Sequence, residues 1–115
     1  MKTSELTDAA LDWAAAKCED IGEVDKFGGV WVSMPNEPHF NDAYTPSTNW
    51  SQGGPIIERE KIRLDTTWNY EDGQWGAHMD SVGGWWQGDT PLIAAMRCYV
   101  ASKLGDNIDI PEELK

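Results

Sequence analysis

The sequence contains few of the residues on which catalysis and metal binding usually depend. Two cysteines and two histidines are scattered over 115 residues, with no C-x-x-C or H-x-x-x-H spacing among them. Neither G-x-x-x-x-G-K-S/T nor G-x-G-x-x-G occurs, and no serine or cysteine lies in a recognisable nucleophile setting. We therefore predict no catalytic residue, no metal site and no cofactor. A pair of carboxylates is the one catalytic arrangement that the composition leaves open.

Positive charge is also scarce. Nine Lys and Arg stand against 20 Asp and Glu, which gives a formal net charge of −11. A protein that binds long nucleic acids needs a basic surface, so we predict that DNA and RNA chains are not partners. Such acidity usually serves solubility, and mimicry of nucleic acid is the alternative that it leaves open.

Long apolar runs are absent as well. No stretch reaches the roughly 18 apolar residues that a membrane-spanning helix requires, and residues 1–10 lack the apolar core of a signal peptide. We expect a soluble protein that stays in the cytoplasm and does not bind membranes. Cys18 and Cys98 lie among apolar neighbours in predicted helices, and we expect both to be reduced and buried.

The chain does contain enough apolar sequence for one core, since 40% of its residues are hydrophobic and seven are Trp. Its length predicts a single domain over residues 1–115. Residues 7–20 place apolar side chains at helical spacing behind a capping Thr7. Residues 91–104 begin with Pro91 after a capping residue and end before a glycine, which also predicts a helix.

Strands are predicted between these helices. Residues 61–79 alternate apolar and polar side chains on both sides of an Asp72-Gly73 turn, which is the pattern of a β-hairpin. Residues 30–33 are a further short strand. The expected fold is α+β: a small antiparallel sheet, formed by the hairpin at about 61–79 and the strand at about 30–33, packs against helices 7–20 and 91–104.

Turns and loops account for most of the remainder. Pro46 predicts a short helix towards Gln52, which Gly53-Gly54 would end or kink. Residues 56–60 fit a helix or an extended segment equally well. Residues 35–45 and 81–88 are predicted to be loops.

Residues 44–57 carry no charged side chain, in a chain where 25% of the residues are charged. Hydroxyls, an amide and aromatic rings without charge are typical of a ligand pocket or a contact surface. The predicted ligand-binding residues of this uncharged stretch are Tyr44, Ser47, Thr48, Asn49 and Trp50.

Two adjacent tryptophans, Trp85 and Trp86, lie in a second uncharged segment that glycines flank. Adjacent residues of an extended loop are not easily buried on one side, so we expect at least one ring to be available. A nucleic-acid base stacked on such a ring gains about 1–3 kcal/mol. A subunit contact would use exposed Trp equally well, and the sequence leaves both roles open.

Arg59 and Arg63, with Lys61 between them, are candidates for contact with a phosphate. They share one face if the segment is extended. Glu58 and Glu60 alternate with them, so a neutralised and solvated strand edge is the alternative.

Arg97 is a stronger candidate because it lies in the middle of the C-terminal helix among apolar residues. A guanidinium in that place snorkels outward, meets a carboxylate or faces an anionic ligand. Thr90, at the start of the same helix, lies where free N–H groups can bind a phosphate.

Four segments together resemble a known family. They are Y-T-P-S-T-N-W at 44–50, G-P-I-I at 54–57, W-G-A at 75–77 and T-P-L-I-A-A-M-R at 90–97. With these motifs, the chain resembles the NinX-like proteins of tailed phages and prophages, long catalogued as a domain of unknown function. The resemblance runs from Leu6-Thr7 to residues 100–103. Residues 22–40 and 81–88 look individual to this chain, so a partner chosen by those loops does not carry over.

The resemblance implies a small phage accessory protein made in the cytoplasm of a bacterial host. Small phage proteins of this general kind include sponges that sequester nucleotide second messengers of host defence. The leading hypothesis is therefore a non-enzymatic, homo-oligomeric protein that binds a small nucleotide-like signal. An acidic interaction protein that blocks a host protein is the alternative, and an enzyme that degrades the same nucleotides is the third.

In the leading hypothesis the candidate residues divide into three roles. Stacking faces come from Tyr44, Trp50, Trp85 and Trp86. Hydrogen bonds to ribose or base edges come from Ser47, Thr48, Asn49 and Thr90. Phosphate contacts come from Arg59, Arg63 and Arg97.

Overall fold

The computed structural model describes residues 2–19, 23–24, 30–34, 37–66, 74–81 and 83–110. Within these ranges the chain forms a short 3-10 helix, Thr3–Glu5, and three α-helices. The α-helices are α1 (Asp8–Glu19), α2 (Trp50–Glu60) and α3 (Pro91–Leu104). No helix in the described part of the chain has the length and apolar content needed to span a bilayer.

The described strands form two antiparallel sheets of three strands each. The first contains β1 (Glu23–Val24), β2 (Val30–Met34) and β3 (Glu37–Ala43), in that order. The second contains β4 (Arg63–Asp65), β5 (Trp75–His78) and β6 (Trp86–Gly88), again in sequence order.

The α+β class and both terminal helices are confirmed. The C-terminal helix has the predicted bounds, with Thr90 as its N-cap, Pro91 in its first turn and Gly105 as its C-cap. The hairpin pairing is present, since Leu64 lies opposite Ala77 in the β4–β5 ladder. The predicted turn at Asp72-Gly73 lies outside the described residues.

The strand predicted at 30–33 differs from expectation, because it belongs to a separate sheet from the hairpin. It lies between β1 and β3, and β3 falls in the segment 35–45, which was predicted to be a loop because it contains prolines. β3 lies at the edge of its sheet, and Pro38 falls between the pairs Met34–Glu37 and Ser33–Asn41, where the register shifts. A proline is tolerated there because the ladder needs no N–H from it.

The helix predicted from Pro46 instead begins at Trp50 and runs through both glycines, so residues 56–60 are helical. Residues 45–49 form a turn in which the N–H groups of Thr48 and Asn49 both donate to the carbonyl of Thr45 (3.0 and 2.9 Å). Gly53 allows a close helix contact, because a Cβ there would lie 2.5 Å from the Pro46 carbonyl oxygen.

Helix α3 is the centre of the core. It contacts all three strands of the second sheet and both other α-helices, and eight of its side chains are buried: Leu92, Ala94, Ala95, Met96, Cys98, Tyr99, Val100 and Ala101. A helix that is apolar on most of its circumference is stable only when enclosed in this way. The buried alanines of α1 allow that helix to approach α3 closely.

Both cysteines are free thiols, as expected. Cys98 is buried on α3, and burial raises its pKa to about 11. Cys18 is only partly buried, and burial together with the charge of Glu19 raises its pKa to about 12. Neither thiol is therefore ionised at neutral pH.

Candidate functional site

An open groove of about 770 Å³ lies where β6, the middle of α3 and the two ends of the described chain meet. Two aromatic residues, Trp85 and Trp86, form part of its lining, and Arg97 contributes from α3. Cavities of roughly 300–1,000 Å³ are typical of small-molecule sites. Three residues that the sequence singled out are thus brought together in a space of ligand size.

Hydrogen bonds between the N-terminal segment and the segment after α3 build one wall of this groove. The Thr3 N–H donates to the carbonyl of Asp106 (2.8 Å), and the Thr3 hydroxyl donates to the carbonyl of Gly105 (2.6 Å). Lys2 and Asn107 form an antiparallel bridge beside them. Because Thr3 is fully buried, its bonds fix the two segments against each other.

Arg97 is held at the groove by backbone carbonyls. Its Nε–H donates to Leu6 (2.9 Å), and Nη1 donates to Gln87 (2.7 Å). Burial lowers the pKa of Arg97, and the charge of Asp89 opposes that effect only in part. Among the described residues no carboxylate forms an ion pair with Arg97, and no partner is present for Nη2. The guanidinium is therefore fixed in place, and no carboxylate of the described ranges contacts it.

The Trp85 side chain packs against His78 and is partly exposed to solvent. Its ring stacks on His78 with the ring centroids 5.0 Å apart and the planes 28° from parallel. The imidazole is itself fixed, because its Nδ1–H donates to the carbonyl of Gly84 (2.7 Å) and its Nε2 lies 3.2 Å from Asp80. Trp85 nevertheless remains 45% exposed, which makes it an ordered aromatic surface.

Backbone geometry explains the position of this ring. Gly83 and Gly84 have φ values of 76° and 70°, a region that favours glycine, and they turn the chain immediately before Trp85. Trp86 follows in β6 opposite Ala77 and is half-buried against the core. Trp85 is therefore the more exposed of the two rings.

Neutral polar side chains complete the lining: Ser4, Gln74, Gln87 and Asn107. The amide of Gln74 donates to Asp89, close to the start of α3. Amides and hydroxyls both donate and accept hydrogen bonds, so this part of the lining suits the edges of a base or a sugar.

The other candidates of the uncharged stretch lie elsewhere. Tyr44 is 6% exposed and belongs to the core, and Ser47 is 1% exposed, with its N–H donating to Asp12 (2.9 Å). Asn49 caps α2, since its Oδ1 accepts from the Ser51 N–H (3.0 Å). Thr48 is exposed in the preceding turn. None of these residues lines the groove, and neither does Trp50, which is 54% exposed.

Arg59 is engaged by carboxylates. It makes two hydrogen bonds to Glu19 (2.9 and 2.8 Å) and a third to Glu60 (2.8 Å), and the Tyr99 hydroxyl donates to the same Glu19 (2.5 Å). Burial alone would raise the pKa of Glu19, but the hydrogen bonds from Arg59 and Tyr99 lower it below its usual value. These contacts join α1, α2 and α3 in a structural ion pair.

The remaining two candidates are also outside the groove. Arg63 is 66% exposed, and its Nη2 lies 3.5 Å from Asp80. Thr90 uses its hydroxyl as the N-cap of α3, where it accepts from the Ile93 N–H (3.1 Å). The structure therefore brings Trp85, Trp86 and Arg97 together and separates them from the other eight.

Sequence reasoning missed six lining residues: Lys2, Ser4, Gln74, Gln87, Asp106 and Asn107. Gln87 could have been found, because it follows Trp86 directly. The others come from the chain ends or from the far side of the hairpin, and no local pattern marks them.

Fold and groove together define a class, namely small acidic α+β proteins with a ligand-sized groove beside a buried central helix. The family model described as "Bacteriophage P22, NinX" matches residues 2–103, and the chain belongs to this family. The resemblance seen in the sequence is thereby confirmed. No curated protein matches the chain. The match covers every groove residue except Asp106 and Asn107.

Proposed function

We propose that the protein is a non-enzymatic phage protein that binds a small nucleotide-like ligand in the groove and thereby sequesters a nucleotide signal of host defence. It would act in the cytoplasm of the host and as a homo-oligomer. One observation carries the proposal: Trp85, Trp86 and Arg97 line the same groove.

The base would stack on Trp85. An exposed Trp face stabilises a bound base by about 1–3 kcal/mol without requiring charge nearby. His78 already orients the ring, with 5.0 Å between the two centroids. Little side-chain entropy remains to be lost on binding, which favours affinity.

The phosphate would meet Arg97. Its guanidinium keeps one nitrogen, Nη2, without a partner among the described residues, while Nε and Nη1 fix its position. An anion at contact distance is attracted more strongly at a half-buried site than in open water. The net charge of −11 does not prevent this, because the contacting charge dominates at short range.

Ribose or base edges would be bound by the neutral amides and hydroxyls of the lining. Gln87 lies next to Trp86, and Ser4 and Asn107 come from the wall that the chain ends form. Such groups supply specificity through hydrogen bonds rather than through charge.

Native mass spectrometry and thermal shifts with a panel of cyclic and linear nucleotides test the proposal. We expect at least one nucleotide to raise the melting temperature, to remain bound in the gas phase and to be recovered unchanged after denaturation. The same spectra give the number of subunits.

The matched pair of variants is Arg97→Gln and Arg63→Gln, because both remove a guanidinium and only Arg97 lines the groove. Arg97→Gln should weaken binding of that nucleotide by tenfold or more, by about 1.5–3 kcal/mol for a charged hydrogen bond. Arg63→Gln should leave binding unchanged. Equal effects of the two variants, or no thermal shift with any nucleotide, would rule the proposal out.

A second candidate function is inhibition of a host protein through direct contact. It is favoured by Trp50, which is 54% exposed outside the groove, in a chain of net charge −11. Large exposed aromatic residues are enriched at protein interfaces. A pull-down from host lysate with the wild type and Trp50→Ala distinguishes the candidates, since a partner lost only in the variant supports inhibition by contact.

A further inference from the structure

We infer that the groove selects a nucleotide with a single phosphodiester group, and therefore with one negative charge. The inference rests on the proposed function and concerns the class of ligand rather than the existence of the site. It depends on the number and the pairing of charges around the groove.

The charged side chains of the described lining are few. Lys2 and Arg97 are positive and Asp106 is negative, which leaves one net positive charge. One phosphodiester neutralises that charge. A nucleoside di- or triphosphate would place its additional charges beside Asp106 with no further cation in the described lining.

The geometry of Arg97 sets the same limit. Two of its three nitrogens already donate to Leu6 and Gln87. The N–H groups without a partner among the described residues, two on Nη2 and one on Nη1, suit one phosphate group rather than a chain of phosphates, since a polyphosphate usually requires several donors or a metal ion.

The other two candidate arginines do not provide a second phosphate contact. Arg59 is saturated by Glu19 and Glu60. Arg63 is paired with Asp80 at 3.5 Å and does not line the groove.

Beyond contact distance, the net charge of −11 repels every additional ligand charge. Salt screens this repulsion over about 8–10 Å at ordinary ionic strength, so it is strongest in dilute buffer. Selection by charge number should therefore weaken as salt is added, whereas stacking should not.

Calorimetric titration of the full chain with two matched series tests the inference. The probes are adenosine, 3′,5′-cyclic AMP, AMP, ADP and ATP, together with the guanine series. In dilute buffer we expect the cyclic monophosphate of the preferred base to bind about tenfold more tightly than its nucleoside, and ATP or GTP to bind about tenfold more weakly than the cyclic monophosphate.

Asp106→Asn is the sharper test, with Asp109→Asn as control because Asp109 is an exposed carboxylate that does not line the groove. Asp106→Asn should improve triphosphate binding several-fold. The difference in affinity between the triphosphate and the cyclic monophosphate should therefore become smaller. Asp109→Asn should change neither.

The outcomes separate this inference from the proposed function. If affinity rises with the number of phosphates, or if Asp106→Asn has no effect, the charge limit is wrong and nucleotide binding stands. If no nucleoside or nucleotide of either series binds, both are wrong.

Discussion

Arg59 and Arg97 are both predicted to contact a phosphate, and the structure gives them opposite surroundings. Arg59 contacts two carboxylates and the Tyr99 hydroxyl. Arg97 contacts two backbone carbonyls and no carboxylate in the described part of the chain. A backbone carbonyl orients a guanidinium but does not neutralise its charge. A carboxylate orients the guanidinium and also neutralises it. The comparison therefore favours Arg97 over Arg59 as the proposed phosphate contact, and it leaves Arg59 in a structural ion pair.

Among variants near Arg97, Gly88→Ala should have the largest effect on stability and on nucleotide binding. A Cβ at Gly88 would lie 2.6 Å from the backbone nitrogen of Ala94, which cannot move independently of α3. The strand must shift and carry the Gln87 carbonyl away from Arg97. We expect urea titration to show a loss of about 2–3 kcal/mol in the free energy of unfolding, from overpacking, and nucleotide binding should fall with it.

Gly54→Ala is the control for this variant, because no atom lies within 4 Å of the added Cβ. Ala has a higher helix propensity than Gly, but a side chain before Pro55 is disfavoured in a helical conformation. We therefore expect the free energy of unfolding to change by less than about 1 kcal/mol. Equal stability of Gly88→Ala and the wild type would contradict the packing of β6 on α3.

Trp85→Leu should have the next largest effect, and it extends the comparison from charge to stacking. Loss of the ring that lines the groove should weaken nucleotide binding by about 1–3 kcal/mol, or roughly 5- to 150-fold. Trp50→Leu removes a somewhat more exposed ring from outside the groove and should leave nucleotide affinity unchanged. Calorimetry measures the nucleotide affinity of both variants. An equal loss of affinity in the two would indicate a general contact surface rather than stacking in the groove.

Glu19→Gln tests the structural role of Arg59. The pKa of Glu19 is lowered in the folded protein, so its contribution to stability is complete above its unfolded pKa and is lost as pH falls through the folded value. At pH 7 the variant should be less stable by about 1–2 kcal/mol, towards the lower figure because Arg59 is half exposed.

The difference between Glu19→Gln and the wild type should shrink as the pH falls below the unfolded pKa of a glutamate and through the lowered pKa of Glu19 in the folded protein. Urea titrations at several pH values measure it. Glu58→Gln is the control, since Glu58 is exposed and has no ion pair within the described residues. A pH-independent difference would show that Glu19 does not act through its charge.

Ser47→Ala should have the smallest effect. The Ser47 hydroxyl is buried without a hydrogen-bond partner in the described part of the chain, so its loss should change stability by less than about 0.5 kcal/mol. Nucleotide binding should not change either. Asn49→Ala, from the same predicted set, removes the cap of α2 and should cost about 1 kcal/mol. Thermal denaturation distinguishes the two, and weaker nucleotide binding by Ser47→Ala would restore its predicted ligand role.

Much of the fold was predictable because its signals are local. The start of α3 at Thr90-Pro91 and its end at Gly105 depend only on adjacent residues. Helix α2 was predicted with the wrong bounds because Gly53-Gly54 resembles a break, whereas Gly53 allows close approach of the Pro46 backbone. A close approach between distant segments leaves no local pattern.

The site was predictable only in part, for the same reason. Trp85 and Arg97 were found by their unusual immediate neighbours. Glu60, which the sequence offered as a neutralising neighbour, does pair with Arg59, but its other carboxylate partner, Glu19, lies forty positions away, where the sequence could not show it. The lack of charge at 44–49 reflects the burial of Tyr44 and Ser47 and the cap formed by Asn49, which composition does not distinguish from a binding surface.

The pairing of Thr3 with Gly105 and Asp106 has a practical consequence for the choice of expression tag. Because Lys2 lines the groove, any affinity handle or fluorescent fusion joined before it would emerge beside the groove. Such a tag could block binding or contribute contacts of its own. A cleavable handle, removed before the titrations, keeps that entrance clear.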